Sequence, residues 1–248
     1  MKLFINNMRI LYVKELKALR APLFILSAAY FCYFLFFLLI DVTLAPRNLF
    51  YYREILQVLV MLNMLIIPGL FIYSFYDEKN KHTSHQLLSF PVPRCAVMLN
   101  KFFAMMSVAF VAALVLGLCN YIIELRVTVT ANPKNHWFND TGMISFRFIT
   151  VSYSMLCIAA ATTGILSVMK RYRVMTGVFS FAGFFMLSLR MNKFMRTIYT
   201  ESVFSDTVAK NAQVFENLLF VVNVYLPLIS GTIFLLAGLY VFHKYGDI

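Results

Sequence analysis

The sequence predicts an all-α integral membrane protein with six transmembrane helices. Hydrophobic residues make up 61% of the 248 residues, aromatic residues 17% and charged residues only 13%. A soluble globular domain instead has about 45–50% apolar and about 25% charged residues. Uncharged runs of about 20 residues, the length that crosses a bilayer as a helix, recur along the chain. These observations exclude an ordinary soluble domain.

The spans are predicted from the runs that contain no Asp, Glu, Lys or Arg. These runs are residues 21–40, 55–76, 102–123, 148–169, 174–189 and 217–242. The fifth is short, but the arginines at its ends can snorkel to the interface. A membrane β-barrel is excluded, because residues 31–39 (FCYFLFFLL) lack the alternation of apolar and polar residues that barrel strands need. We therefore expect residues 1–20 to form an amphipathic interfacial helix and residues 21–248 to form a single six-helix transmembrane domain.

The excess of basic residues predicts how the chain crosses the membrane. There are 22 Lys and Arg residues against 11 Asp and Glu residues. If the N-terminus is cytoplasmic, 13 of the 22 basic residues fall on the cytoplasmic side, as the positive-inside rule favours. We expect a multi-pass protein of the plasma (inner) membrane with both termini cytoplasmic. The lipid bilayer is then a partner, whereas nucleic acid is not, because no soluble basic face is predicted.

The first 20 residues have the pattern of a basic amphipathic helix. Apolar residues recur at helical spacing, namely Phe4, Met8, Tyr12, Leu16 and Leu19. Lys14, Lys17 and Arg20 are among the basic residues placed elsewhere around the helix. Such a helix lies in the lipid headgroup layer. Simple anchoring explains these charges, and a docking role would be an addition to it.

The segment between the second and third predicted spans, residues 77–101, is longer than a connector needs to be. Links between neighbouring helices usually have about 2–8 residues. Thr83 can cap a short helix and Pro91 would end it. This helix is too short and too polar to cross the membrane, so we expect it on the cytoplasmic face.

This segment resembles the corresponding loop of the membrane subunits of type-2 ABC exporters. The matching residues are Glu78, Thr83, Gln86, Leu87, Leu88, Ser89, Pro91, Val92, Arg94 and, at the end, Lys101. The chain departs from the family pattern at His82, Ser84 and His85, where the family favours Gly, Leu and Glu. The resemblance implies that the short helix is a coupling helix, seated in a groove of a separate ATPase subunit. The implied contact residues are Glu78, Thr83, His85, Gln86, Leu87, Leu88, Pro91 and Arg94.

The resemblance implies a permease subunit of an ATP-driven ABC exporter. One chain would form half of the translocation pathway, and a second permease subunit, identical or different, would form the other half. The 26 Phe and 14 Met residues would suit a hydrophobic or amphipathic cargo such as a drug, a peptide antibiotic or a lipid. A haem-export-type permease is a close alternative.

The sequence shows no catalytic residues and no cofactor or metal motif. It lacks the G-x-x-x-x-G-K-[ST] motif of a phosphate-binding loop, so ATP and Mg are expected in the partner subunit. The four cysteines are scattered and have no metal-ligand spacing.

Two other functions remain open, an ATP-independent channel or carrier and a membrane scaffold. Gln57 and Asn63 lie within a predicted span and either line a pathway or join helices by hydrogen bonds. A proton-driven carrier is disfavoured, because such carriers use ionisable residues within their spans and none interrupts the six runs.

Overall fold

A computed structural model describes residues 2–39, 58, 61–62, 65–78, 93–130, 137–168, 173–204 and 212–245. Helices account for nearly all of these residues and no strand occurs among them, so the all-α prediction is confirmed. The helices are α1 (Lys2–Ala18), α2 (Arg20–Leu39), α3 (described over 65–78), α4 (Arg94–Thr130), α5 (Trp137–Val168), α6 (Arg173–Phe204) and α7 (Ala212–Tyr245).

Four helices contain a stretch long and apolar enough to cross a membrane. These stretches are Arg94–Leu118, Phe148–Val168, Val174–Phe194 and Tyr225–Tyr245. They overlap the last four predicted spans and agree with a multi-pass membrane protein. Helix α2 covers most of the first predicted span, whereas much of the second, 55–76, lies outside the described residues. The count of six therefore stays a prediction.

The helices extend well beyond the predicted spans. Helix α4 has 37 residues, which at 1.5 Å per residue is about 55 Å, against a hydrocarbon core of about 30 Å. It continues to Thr130, and α6 continues to Phe204. A run without charges indicates only the part of a helix that can lie in the hydrocarbon core. The helix itself can continue into water, because charged residues do not interrupt its backbone hydrogen bonds.

The described residues cluster into two compact units, and α3, α4 and α5 contribute to both. The first unit comprises Met1–Ile67 and Phe103–Ser152. In it, α1 buries Leu11 and Glu15, and Leu19, directly after the end of α1, is also buried. The Tyr12 hydroxyl lies 2.6 Å from Ser107 Oγ of α4. Because Ser107 donates its own proton to the Phe103 carbonyl, Tyr12 is the donor in this bond.

The second unit comprises Pro68–Phe102 and Tyr153–Ile248. Its centre is the second half of α5, where residues 156–164 are all buried. Helix α7 packs on α5 with almost no space between the backbones: a Cβ built on Gly238 would lie 2.7 Å from the Ala160 carbonyl oxygen and from the Ala161 nitrogen. The absence of side chains at Gly164 and Gly238 permits this approach.

Helix α6 is attached to the second unit through one face only. The Phe184 and Phe234 rings meet edge to face at 5.4 Å. Ser230 Oγ of α7 donates to Asn192 Oδ1 of α6 at 3.3 Å. Only 6% of the Val174–Phe194 stretch is buried, against 67% of Phe148–Val168. Most of the exposed side chains between Val174 and Leu189 are apolar, which suits lipid or a protein partner.

Candidate functional site

The structure describes the two ends of the predicted coupling segment. Glu78 is the last described residue of α3, and Arg94 is the first residue of α4. The predicted contact residues between them lie outside the described residues: Thr83, His85, Gln86, Leu87, Leu88 and Pro91. The predicted pathway residues Gln57 and Asn63 also lie outside the described residues. The roles assigned to all of these residues stay predictions.

Lys101 forms a buried ion pair with Glu78. Its Nζ lies 3.1 Å from Glu78 Oε1, and the two side chains are 2% and 17% exposed. Lys101 lies two turns into α4, inside the candidate span Arg94–Leu118. The uncharged runs of the sequence instead predict that Lys101 lies in the preceding loop. The span can begin earlier because the charge of Lys101 is paired, which lowers the cost of removing it from water.

Two further groups of α3 surround the ammonium of Lys101. Lys101 Nζ donates to Ser74 Oγ at 3.4 Å. Ser74 can accept this bond because its own proton goes to the Phe71 carbonyl at 2.8 Å. The ammonium also lies 5.0 Å from the centre of the Phe75 ring, within the range of a cation–π interaction. Helix α3 thus supplies a carboxylate, a hydroxyl and a ring face to one cation.

The ring of Phe75 connects this site to a third helix. It meets Phe71 edge to face at 5.3 Å and Phe242 of α7 at 5.7 Å. Phe71 and Phe242 are themselves buried. We call Lys101, Glu78, Ser74, Phe75, Phe71 and Phe242 the Lys101 cluster. The cluster joins α3, α4 and α7, and along the chain it begins at Glu78, next to one end of the segment 79–93, and reaches α4 two turns after the other end.

The sequence predicts Glu78 as a site residue but not Lys101. Both residues belong to the motif that carries the family resemblance, yet they lie far apart along the chain and no helical periodicity relates them. One feature of the sequence does indicate the pair: the motif begins with an acidic residue and ends with a lysine. Opposite charges at the two ends of one loop would have suggested an ion pair.

The outward face of α1 carries the predicted interfacial residues. Residues lining a shallow groove of about 490 Å³ are Asn6, Arg9, Ile10, Val13, Lys14 and Lys17. Arg20 is exposed at the start of α2. The opposite face of α1, with Leu11 and Glu15, is buried. The helical spacing predicts that the apolar stripe faces the headgroup layer, but its Tyr12 bonds to Ser107 and its Leu19 is buried, so part of the stripe packs against the protein.

Long apolar helices that carry four candidate spans and bury one charged pair define a multi-pass helical membrane protein. A family model described as ABC-2 family transporter protein matches residues 10–187, which is more than half of the chain. The chain therefore belongs to the ABC-2 transporter family, and the resemblance to a type-2 ABC transporter permease is confirmed. No curated protein matches the chain.

Proposed function

We propose that this chain is the membrane-spanning permease subunit of an ATP-driven ABC exporter, which forms half of the translocation pathway and couples to a separate ATPase subunit. The family match over residues 10–187 carries the proposal. It includes the whole segment with the coupling-helix pattern, from Glu78 to Lys101. ATP and Mg would bind the partner subunit, and a second permease subunit would complete the pathway.

The cargo we propose is hydrophobic or amphipathic, either a drug, a peptide antibiotic or a lipid, and haem-type export is the alternative. The composition supports this choice, because Phe and Met are abundant and both adapt to apolar ligands of irregular shape. We place the protein in the plasma (inner) membrane with both termini cytoplasmic, on the distribution of basic residues.

The first experiment is co-purification of the tagged protein in a mild detergent, with mass spectrometry of the proteins bound to it. A P-loop ATPase at stoichiometric amount is the expected result. If no ATPase co-purifies under conditions that preserve a permease dimer, the proposal is wrong.

Replacing Leu87 with Glu should weaken ATPase binding without unfolding the protein. The change puts a charge into the apolar face of the proposed coupling helix. We expect at least about a tenfold loss of affinity, equivalent to about 1.4 kcal/mol, because an unpaired charge in an apolar contact costs more than this. Asn80→Glu adds the same charge to the same segment outside the helix, and it should bind the ATPase normally. Equal binding by both variants would contradict the coupling-helix assignment.

The buried ion pair also suits a second candidate function, an ATP-independent carrier. Ion-coupled carriers use ionisable residues within their spans, and Lys101 lies within a candidate span. The co-purification experiment separates the two candidates, since a carrier of this kind needs no ATPase subunit.

A further inference from the structure

Lys101 is among the largest fully buried side chains of the described protein, although it carries a charge. A buried ammonium is tolerated only where its partners are held in good geometry. All the partners named above lie on α3, whereas Lys101 itself lies on α4. The arrangement therefore fixes the end of α3 against the first turns of α4.

We propose that the Lys101 cluster is a clamp that makes the end of α3 and the start of α4 move as one body. Lys101 and Glu78 are positioning residues in this proposal, which rests on the proposed function. Residues 79–93 connect the two helices that the clamp joins. A force that an ATPase partner applies to this connection would reach both helices together, and through Phe75 and Phe242 it would reach α7.

Without the clamp, the same force would be absorbed as a change in the spacing of α3 and α4. Helices at an interface commonly shift by about 1–2 Å. A shift of that size would exceed the tolerance of the 3.1 Å contact between Lys101 and Glu78. The ion pair therefore resists the movement that would uncouple the two helices.

The clamp differs in a measurable way from a pair that only stabilises the fold. Replacing both partners of a buried ion pair with neutral residues of similar volume commonly preserves stability. The double variant Glu78→Gln/Lys101→Met should therefore fold and melt close to wild type. If the pair only stabilises the fold, the spacing of α3 and α4 in this variant should be the same as in the wild type. The clamp proposal instead predicts that α3 and α4 become mobile relative to each other.

The test measures the spacing of α3 and α4 by electron spin resonance. One nitroxide is placed at Tyr73→Cys, which is 59% exposed on α3. The other is placed on the native Cys95 of α4, which is a free thiol of intermediate exposure. The other three cysteines are replaced with Ala. Distances are recorded for the permease alone, and for its complex with the ATPase subunit with and without trapped ATP.

The wild-type pair should give one narrow distance distribution that is the same in all three states. In the Glu78→Gln/Lys101→Met variant the distribution should broaden in the permease alone, and trapped ATP should shift its mean by about 2 Å. Lys244→Met is the control, because Lys244 also lies over aromatic rings, at 5.1 Å from the Tyr245 ring, but is exposed. It should behave as wild type.

A wild-type distribution in the double variant, in every state, would overturn the clamp. Failure of the proposed function would look different. In that case no ATPase would co-purify, while the measurement on the permease alone would still decide whether the ion pair holds the two helices together.

Discussion

Lys101 shows how a charged residue becomes part of an apolar helix. Its ammonium is satisfied by Glu78, Ser74 and the ring of Phe75, all from one neighbouring helix. Each contact replaces part of the hydration that the cation loses on burial. The charge therefore joins two helices. In return, removing either Lys101 or Glu78 alone destabilises the protein, because the other loses a partner in a buried site.

Lys101→Met alone should destabilise the protein by about 3–5 kcal/mol, because it removes the positive partner at 3.1 Å from the largely buried Glu78 carboxylate. Thermal unfolding of the detergent-purified protein, followed by size-exclusion chromatography, measures the loss. Adding Glu78→Gln to the same chain should recover most of it. If the double variant is as unstable as the single variant, Glu78 is not the main partner of Lys101.

Tyr12→Phe should loosen the attachment of α1 by about 1 kcal/mol, the usual net value of one hydrogen bond. The change removes only the donor to Ser107 Oγ. Faster tryptic cleavage at Arg9 and Lys14 is the expected readout. Ser107→Ala should have a similar effect, and the double variant should be little worse than either single variant. Fully additive effects would mean that the two hydroxyl groups do not interact.

At the scale of the helices, the contact between α5 and α7 depends on residues that have no side chain. The space at Gly238 is limited by backbone atoms of Ala160 and Ala161, which cannot move without moving α5. Gly231, seven residues earlier and on the same side of α7, has Ser154 Cα within 3.3 Å of a built Cβ. This face of α7 therefore follows the backbone of α5 for about two turns.

Gly238→Ala should destabilise the protein by about 1–3 kcal/mol, as overpacking of a close contact does. Gly183→Ala is the matched control, because no atom lies within 4 Å of a Cβ built at Gly183. That change should be neutral or slightly stabilising, since Ala favours helix over Gly by up to about 1 kcal/mol. Comparable melting temperatures for the two variants would contradict the close packing of α5 and α7.

At the scale of the whole molecule, the apolar surface and the positive charge have separate explanations. The outer surface of α6 exposes large apolar residues such as Val178, Phe179 and Met186. In water such a surface would cause aggregation, but lipid or a protein partner can cover it. The basic residues instead concentrate at predicted cytoplasmic segments. Three of them, Arg9, Lys14 and Lys17, line the groove on α1.

The proposed orientation predicts where a membrane-impermeant maleimide reacts. Cys95, the second residue of α4, should react in inside-out vesicles and stay unlabelled in intact cells, because in the proposed orientation its thiol faces the cytoplasmic water. A Cys95→Ala variant should lose this labelling. Cys157 is buried and should stay unlabelled in both preparations. Labelling of Cys95 in intact cells would reverse the orientation.

The sequence by itself determined the class of fold, the position of four spans and the family. Each of these depends on local properties: hydropathy over a run of residues, the absence of alternation, and a motif within one segment. The same local properties explain why span ends were less accurate. A charge such as Lys101 ends an uncharged run in the sequence, whereas in the protein a paired charge continues the helix.

The tertiary structure alone decided which residues meet. The Glu78–Lys101 pair, the inward face of α1 and the backbone contact at Gly238 join residues that lie far apart in the chain. No periodicity in the sequence relates such residues, because their contact depends on how helices pack rather than on how each helix forms. The burial of the ion pair between α3 and α4, which carries the clamp proposal, is therefore a property of the packed helices and not of either segment alone.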